Sequence, residues 1–166
     1  MMRRCGQRSA SGSIGLFSFP LLEGAMAATV TIQLADNQYL SLSKSGVTLS
    51  NSGSDEQSQW TISEFPDAGN ATTVYSTIQN VQSGQYLVLP GPFINGIAPA
   101  AVAADQSLAL LFLIGGGPPL NGRLPIEIVN GKPFQGKEVY LATDGAMAAY
   151  LANGQTGSGW TIRQVG

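Results

Sequence analysis

The chain contains no histidine and only one cysteine, Cys5. It therefore lacks the usual general base near neutral pH and the commonest metal ligand. The body after Cys5 has neither a disulfide nor a thiolate nucleophile, which suits a reducing compartment. Charged residues make up 11% of the chain, whereas soluble domains usually have roughly 25%. With a net charge of −2 and scattered cations, the sequence disfavours nucleic acid as a partner.

Long apolar runs are also missing. No stretch approaches the roughly 18 apolar residues that a membrane-spanning helix requires, so we expect no membrane span. Residues 1–27 combine a basic start, a short apolar run and small residues before and after Met26. This composition predicts a poorly ordered leader or a non-native N-terminal extension.

The origin of that segment has three interpretations. Met26 is the true initiator, which makes the protein cytoplasmic; or the segment is a secretory signal peptide, which makes it secreted; or it is an organelle presequence. In each case residues 28–166 form the single domain that the sequence predicts.

Within that domain, one pattern occurs three times. Each unit begins with a short aromatic–aliphatic strand at Tyr39, Tyr86 or Tyr140, and it closes with an aromatic residue in an apolar strand, namely Trp60, Phe112 or Trp160. Glycine and asparagine turns separate alternating apolar and polar residues, which predicts short β-strands. We expect four strands per unit, in repeats at about residues 29–66, 73–114 and 124–166. The Ala-rich residues 98–104 are interpreted as strand plus loop.

Three units of four strands resemble a β-trefoil. The resemblance implies an all-β fold in which six strands close a barrel, six cap one end, and the repeats are related by pseudo-threefold symmetry. A plain antiparallel sandwich is the rival, but it does not explain the threefold spacing. The closing aromatics and the three tyrosines are expected in the core, because one large ring per unit fills a barrel; a sugar-stacking platform is the alternative.

Catalytic chemistry finds little support in the sequence. The carboxylate pairs Asp55 with Glu56, Glu64 with Asp67, and Glu127 with Glu138 are candidates for glycoside hydrolysis. Asp55 and Glu56 lie in a polar loop, and adjacent residues on a strand point to opposite faces, so these two are not expected to converge. The glycine run at 115–117 lacks the Lys and Ser/Thr of a phosphate-binding loop. We therefore expect no enzyme activity, no catalytic residue, no metal and no cofactor.

Carbohydrate binding is one alternative for function. Ricin-B-type trefoil lectins carry Gln-x-Trp in each repeat and an Asp early in each unit. Here the glutamine is missing from all three units, and only the third unit has the aspartate, Asp144. Asp144 and Asn153 are the sugar-site candidates under this interpretation.

Protease inhibition is the favoured function. The chain resembles the fungal trefoil inhibitors of the mycocypin, cospin and cocaprin types, which are small and free of disulfides. The resemblance implies a rigid barrel that presents loops to a protease, whose class stays open. The partner is thus a protease or a glycan, and we expect a monomer, with a dimer as the alternative. A structural or signalling trefoil is a third interpretation.

Three segments are candidates for the inhibitory contact. The first is Pro92, Phe93, Ile94 and Asn95, where two prolines stiffen a loop that is expected to expose Phe93 and Ile94. The second is Arg123 with Leu124, since an exposed Arg fills a trypsin-like pocket. The third is Ser83 with Gly84, a Gly-containing turn suited to a cysteine-protease cleft.

Overall fold

A computed structural model describes residues 26–34, 37–115, 119, 122–130, 136–152 and 158–166, apart from the side chain of Ala71. Most of the expected leader and Asn153 lie outside these residues. The described chain is almost entirely β, with two short 3-10 helices at Glu56–Ser58 and Gln106–Leu108. Among the described residues, no helix is long and apolar enough to cross a membrane.

The strands follow the predicted alternation of apolar and polar residues. In chain order they are β1 (Ala27–Gln33), β2 (Tyr39–Ser43), β3 (Gly46–Ser50), β4 (Gln59–Asp67), β5 (Asn70–Asn80), β6 (Tyr86–Val88), β7 (Ile97–Pro99), β8 (Ala101–Ala103), β9 (Phe112–Ile114), β10 (Ile126–Ile128), β11 (Val139–Asp144), β12 (Met147–Ala152) and β13 (Thr161–Gln164). β1 begins at Ala27, the last residue assigned to the leader. The Ala-rich residues 98–104 contribute to two strands, β7 and β8, because the chain changes partner at Ala100, from β12 to β6.

Antiparallel pairing closes the sheet into a barrel. Nine strands form a ring in the order β1, β2, β3, β12, β11, β10, β9, β5, β4 and back to β1. β13 adds to β1, β8 adds to β6, and β7 adds to β12. Closure removes the free edges on which sheets aggregate. The expectation of an all-β barrel is therefore confirmed.

Six strands, most of which also belong to the nine-strand ring, form a smaller closed circuit of pairings. β1 pairs with β4, β4 with β5, β5 with β9, and β9 with β10. The circuit is completed by Leu124, just before β10, which forms an isolated antiparallel bridge with Trp160 just before β13. Both backbone hydrogen bonds of that bridge are 2.9 Å long, and β13 returns to β1.

The same cross-strand pairs recur along this smaller ring. Two residues beyond each closing aromatic is an isoleucine that faces another isoleucine: Ile62 with Ile78, Ile114 with Ile126, and Ile162 with Ile32. Each closing aromatic also pairs with the residue two positions before Ile32, Ile78 or Ile126. These pairs are Trp60 with Val30, Phe112 with Ser76, and Trp160 with Leu124. The apolar interior therefore has three copies of one arrangement.

The closing aromatics occupy the centre of the core. Trp60, Phe112 and Trp160 are fully buried, and each large ring removes on the order of 200 Å² of surface from water. The indole Nε1 of Trp60 donates to the carbonyl of Leu40 at 2.8 Å. The indole Nε1 of Trp160 donates in the same way to Leu141, also at 2.8 Å.

The tyrosines at the start of the units lie nearer the surface than expected. Tyr39, Tyr86 and Tyr140 are half-buried and are not part of the fully buried core. Each is the first or second residue of its strand, so its ring is only partly covered by neighbouring strands.

Candidate functional site

The loop between β6 and β7, residues 89–96, is the most prominent of the three candidate loops. Its tip is a two-residue turn at Asn95 and Gly96, with φ of 52° and 80°. Ile94 and Ile97 flank this turn and exchange backbone hydrogen bonds of 2.8 and 3.0 Å. Positive φ at both central residues defines a type I′ turn, and Asn-Gly is the dipeptide that favours it.

This loop is attached to the barrel at two further points. The carbonyl of Gly96 accepts a 2.8 Å hydrogen bond from the backbone N–H of Ala152 at the end of β12, and β7 then continues as a partner of β12. Pro90 and Pro92 fix φ on the other side of the tip. The 89–96 loop is therefore braced on both sides of its tip.

Phe93 and Ile94 have opposite environments. The side chain of Ile94 is 73% exposed, whereas Phe93 is half-buried and packs against the core. The expectation that both side chains face solvent is wrong for Phe93, because neighbouring residues of an extended segment point to opposite sides. The loop thus presents one aliphatic side chain at its tip and uses the adjacent ring as an anchor.

The turn formed by residues 81–84 is also exposed and well ordered. The buried side chain of Asn80 supports it: its Oδ1 accepts from the backbone N–H of Ser83 at 3.1 Å, and its Nδ2 donates to the carbonyl of Gln57 at 3.0 Å. Gly84 has a φ of 66°, a conformation that favours glycine. This turn is compact and presents mostly polar groups, with Val81 as its one large apolar side chain.

Arg123 and Leu124 have a different setting. Leu124 is 42% exposed, but its backbone N–H and carbonyl are both bonded to Trp160 in the barrel wall. Arg123 is half-buried beside it. The Arg123–Leu124 peptide is therefore part of the barrel frame, and much of the loop before it, residues 116–118 and 120–121, lies outside the described residues.

Of the sugar-site candidates only Asp144 lies within the described residues, and of the carboxylate pairs Glu127 and Glu138 meet at Tyr140. Asp144 is exposed at the end of β11, beside the turn at Gly145. Glu138 accepts a 2.8 Å hydrogen bond from the hydroxyl of Tyr140, which faces Glu127 across the β10–β11 pair. Burial, followed by that hydrogen bond and the charges of the two carboxylates, raises the pKa of Tyr140 to about 12.

No metal centre emerges from these groups. Within the residues that the structure describes, no three His, Cys, Asp or Glu side chains gather into a cluster that would hold a metal ion. Asp105 caps the 3-10 helix at Gln106–Leu108 by accepting from the N–H of Ser107 at 2.9 Å. Hydrogen bonding to the side chain of Ser107, followed by this backbone bond, lowers the pKa of its carboxyl. Its function is structural capping.

Sequence reasoning missed an open cleft of about 490 Å³ between β13 and the segment at residues 51–54. Among the described residues it is lined by Thr31 of β1, Tyr39, residues 51–54 and residues 163–165, and Arg163 is the only cation in that lining. We call it the Arg163 cleft. Its walls are far apart in sequence and meet only because β13 pairs with β1, so no local motif announces it.

Comparison with known proteins gives no assignment. The sequence matches no family model, and a search of curated proteins returns no match. The candidate loops and the Arg163 cleft are therefore the features of the molecule that bear on its function.

Proposed function

We propose that this protein is a non-catalytic β-trefoil binding protein that inhibits a protease through the 89–96 loop. The trefoil part is supported by the six-strand circuit that passes through β1, β4, β5, β9, β10 and β13. The three equivalent isoleucine pairs support it further, because a pseudo-threefold barrel requires the same contact in every repeat.

The equivalent cap hairpins point to the functional loop. Tyr39 pairs with Ser50 in the first unit and Tyr140 with Leu151 in the third, whereas Tyr86 pairs with Ala103, so the middle hairpin is six residues longer. The extra length lies in residues 89–100. The β2–β3 and β11–β12 hairpins have equal lengths, and the hairpin from β6 to β8 departs from that length.

The single observation that carries the inhibitor proposal is the exposed Ile94 on a fixed turn. An apolar side chain held away from the surface resembles the anchor residue that fills a pocket at an interface. Because the turn, the prolines and the bond to Ala152 have already restricted the loop, binding loses little further conformational entropy. We therefore expect a target protease with an apolar specificity pocket.

Titration of purified proteases tests this proposal. The protein should inhibit at least one of chymotrypsin, elastase, papain and pepsin. Trypsin is the comparison enzyme, because its specificity pocket is acidic and does not suit an apolar anchor. Ile94→Asp should weaken that inhibition about 30-fold, since loss of an anchor costs about 2 kcal/mol. The matched control is Leu108→Asp, which places the same charge on an apolar side chain that is 59% exposed and outside the loop.

Two results would contradict the loop assignment. One is retained inhibition by the Ile94→Asp variant, with circular dichroism showing an intact fold. The other is inhibition of trypsin that disappears in Arg123→Ala, which would transfer the contact to the second candidate segment. Absence of inhibition across the whole panel would reject the inhibitor proposal itself.

Carbohydrate binding is the second candidate, and Asp144 is the observation that favours it. Its carboxylate is exposed and forms no side-chain hydrogen bond or ion pair within the described part of the chain, so it is free to accept from sugar hydroxyls. A glycan array measured in parallel decides between the two. Clear glycan binding that Asp144→Ala removes, together with no protease inhibition, would reverse the order.

A further inference from the structure

The Arg163 cleft has a prepared wall that shares no residue with the 89–96 loop. In the segment 51–54, the backbone N–H of Ser52 donates to Ser50 Oγ at 3.1 Å, and the hydroxyls of Ser52 and Ser54 lie 3.1 Å apart. Gln59 Nε2 donates to the carbonyl of Ser54 at 3.1 Å. These bonds hold the backbone of residues 51–54 in place, and they thereby position the hydroxyls of Ser52 and Ser54.

Gly53 brings this wall against an aromatic ring. A Cβ at Gly53 would lie 2.6 Å from Cε1 of Tyr39, closer than real Cβ atoms approach. Only glycine allows the backbone to lie on the ring in this way. The floor of the cleft therefore combines an aromatic ring with serine hydroxyls, a mixture that suits ligands with both apolar and hydroxyl-bearing faces.

Arg163 gives the cleft its charge. Within the part of the chain that the structure describes, its guanidinium has no hydrogen bond or ion pair, and no Asp or Glu lines the cleft. The hydroxyl of Tyr39 and the amide of Asn51 are likewise uncommitted within that part of the chain. A guanidinium binds a carboxylate or phosphate through paired hydrogen bonds, and the neutral donors around it match sugar hydroxyls.

We propose that the Arg163 cleft binds a small hydroxylated anion, such as a sugar acid or a sugar phosphate. The anionic group pairs with Arg163, the hydroxyls bond to the 51–54 wall, and the apolar face of the ligand rests on Tyr39. The volume of about 490 Å³ lies within the range of roughly 300–1,000 Å³ for small-molecule pockets.

NMR titration of the ¹⁵N-labelled chain tests this proposal with three probes: glucuronic acid, glucose 6-phosphate and neutral glucose. At least one of the two anions should shift the amides of Ser52, Gly53 and Arg163, and the stronger of them identifies the anionic group. Glucose should bind at least about tenfold more weakly, because it lacks the charge-assisted contact.

Two matched variants assign the charge to its residue. Arg163→Gln should weaken binding of the preferred anion at least about tenfold, whereas Lys44→Gln removes one positive charge outside the cleft and should change the affinity less than about twofold, since distant surface charges are screened. Amide shifts absent with both anions, equal binding of glucose, or unchanged binding by Arg163→Gln would each overturn the proposal. Protease inhibition by Arg163→Gln should stay at the wild-type level, so the two proposals fail independently.

Discussion

Replacing Trp160 with Phe tests the idea that the three closing aromatics are equivalent parts of one core. The ring at this position is fully buried, and its Nε1 donates to the carbonyl of Leu141 at 2.8 Å. Trp160→Phe keeps an aromatic ring but removes the donor. Loss of this bond and of the carbonyl's partner costs about 1–3 kcal/mol. The smaller ring leaves about 40 Å³ empty, which at about 24 cal/mol per Å³ adds about 1 kcal/mol.

The total of about 2–4 kcal/mol is a large share of the roughly 5–15 kcal/mol that stabilises a typical domain. Guanidinium denaturation followed by far-UV circular dichroism measures it without relying on tryptophan fluorescence. The dependence of unfolding free energy on denaturant should stay at its wild-type slope. A loss below about 0.5 kcal/mol, the size of an ordinary surface substitution, would refute the reasoning from burial and hydrogen bonding.

The middle unit supplies the converse substitution. The carbonyl of Leu87, which corresponds to those of Leu40 and Leu141, accepts instead from the backbone N–H of Leu110 at 3.0 Å. Phe112→Trp therefore introduces an indole donor whose equivalent acceptor is already engaged, and it adds volume to a fully buried site. We expect a destabilisation of about 1–3 kcal/mol from overpacking. Stabilisation by Phe112→Trp would show that the middle unit is not built around its smaller ring.

Three further predictions use the same denaturation assay. Gly96→Ala should lower the free energy of unfolding by about 1 kcal/mol, because the φ of Gly96 is 80°. The control is Gly91→Ala, whose Cβ would meet nothing within 4 Å and which should be neutral. Equal losses in the two variants would contradict the type I′ turn. Asn80→Ala should cost about 2–3 kcal/mol, since it leaves buried partners unpaired, and should speed amide exchange at Ser83; unchanged exchange there would argue against its supporting role. The pKa of Tyr140 is raised from 10.0 to about 12 in the folded protein, so its contribution is complete below pH 10 and is lost as the pH rises towards 12. Tyr140→Phe should reduce that alkaline loss, and an identical pH profile would contradict it.

Much of the strand layout was predictable because each signal is local. Alternation from Val30 to Leu34 and the Ser45-Gly46 turn specify a strand and a hairpin within a few residues, and β1 and the β2–β3 hairpin lie where these signals predict. Closure into a barrel also followed from the triplicated pattern. The nine-strand circuit did not, since it depends on a single β3–β12 pairing between Thr48 and Met147, a contact between units that leaves no local mark.

The functional surfaces were harder to predict from the sequence. The exposure of Ile94 was expected, but Phe93 was placed on the wrong side because the two prolines gave stiffness without giving the direction of each side chain. The Arg163 cleft was missed entirely. It joins Gly53 and Tyr39 to Arg163, and nothing in the composition of any of these segments indicates that β1 and β13 are neighbours. Such a site is visible only once the pairing of β1 and β13 is known.

Recurring contacts and hairpins of unequal length have different explanations. The isoleucine pairs Ile62–Ile78, Ile114–Ile126 and Ile162–Ile32 recur along the smaller ring of strands and are explained by packing in the barrel. The middle hairpin is six residues longer than the other two, and part of that length packs: β7 pairs with β12, Ala98 and Ala100 are buried, and Phe93 contacts the core. These contacts leave Ile94 73% exposed on the type I′ turn at the tip. Because packing does not explain this exposed side chain, we propose that a partner binds it.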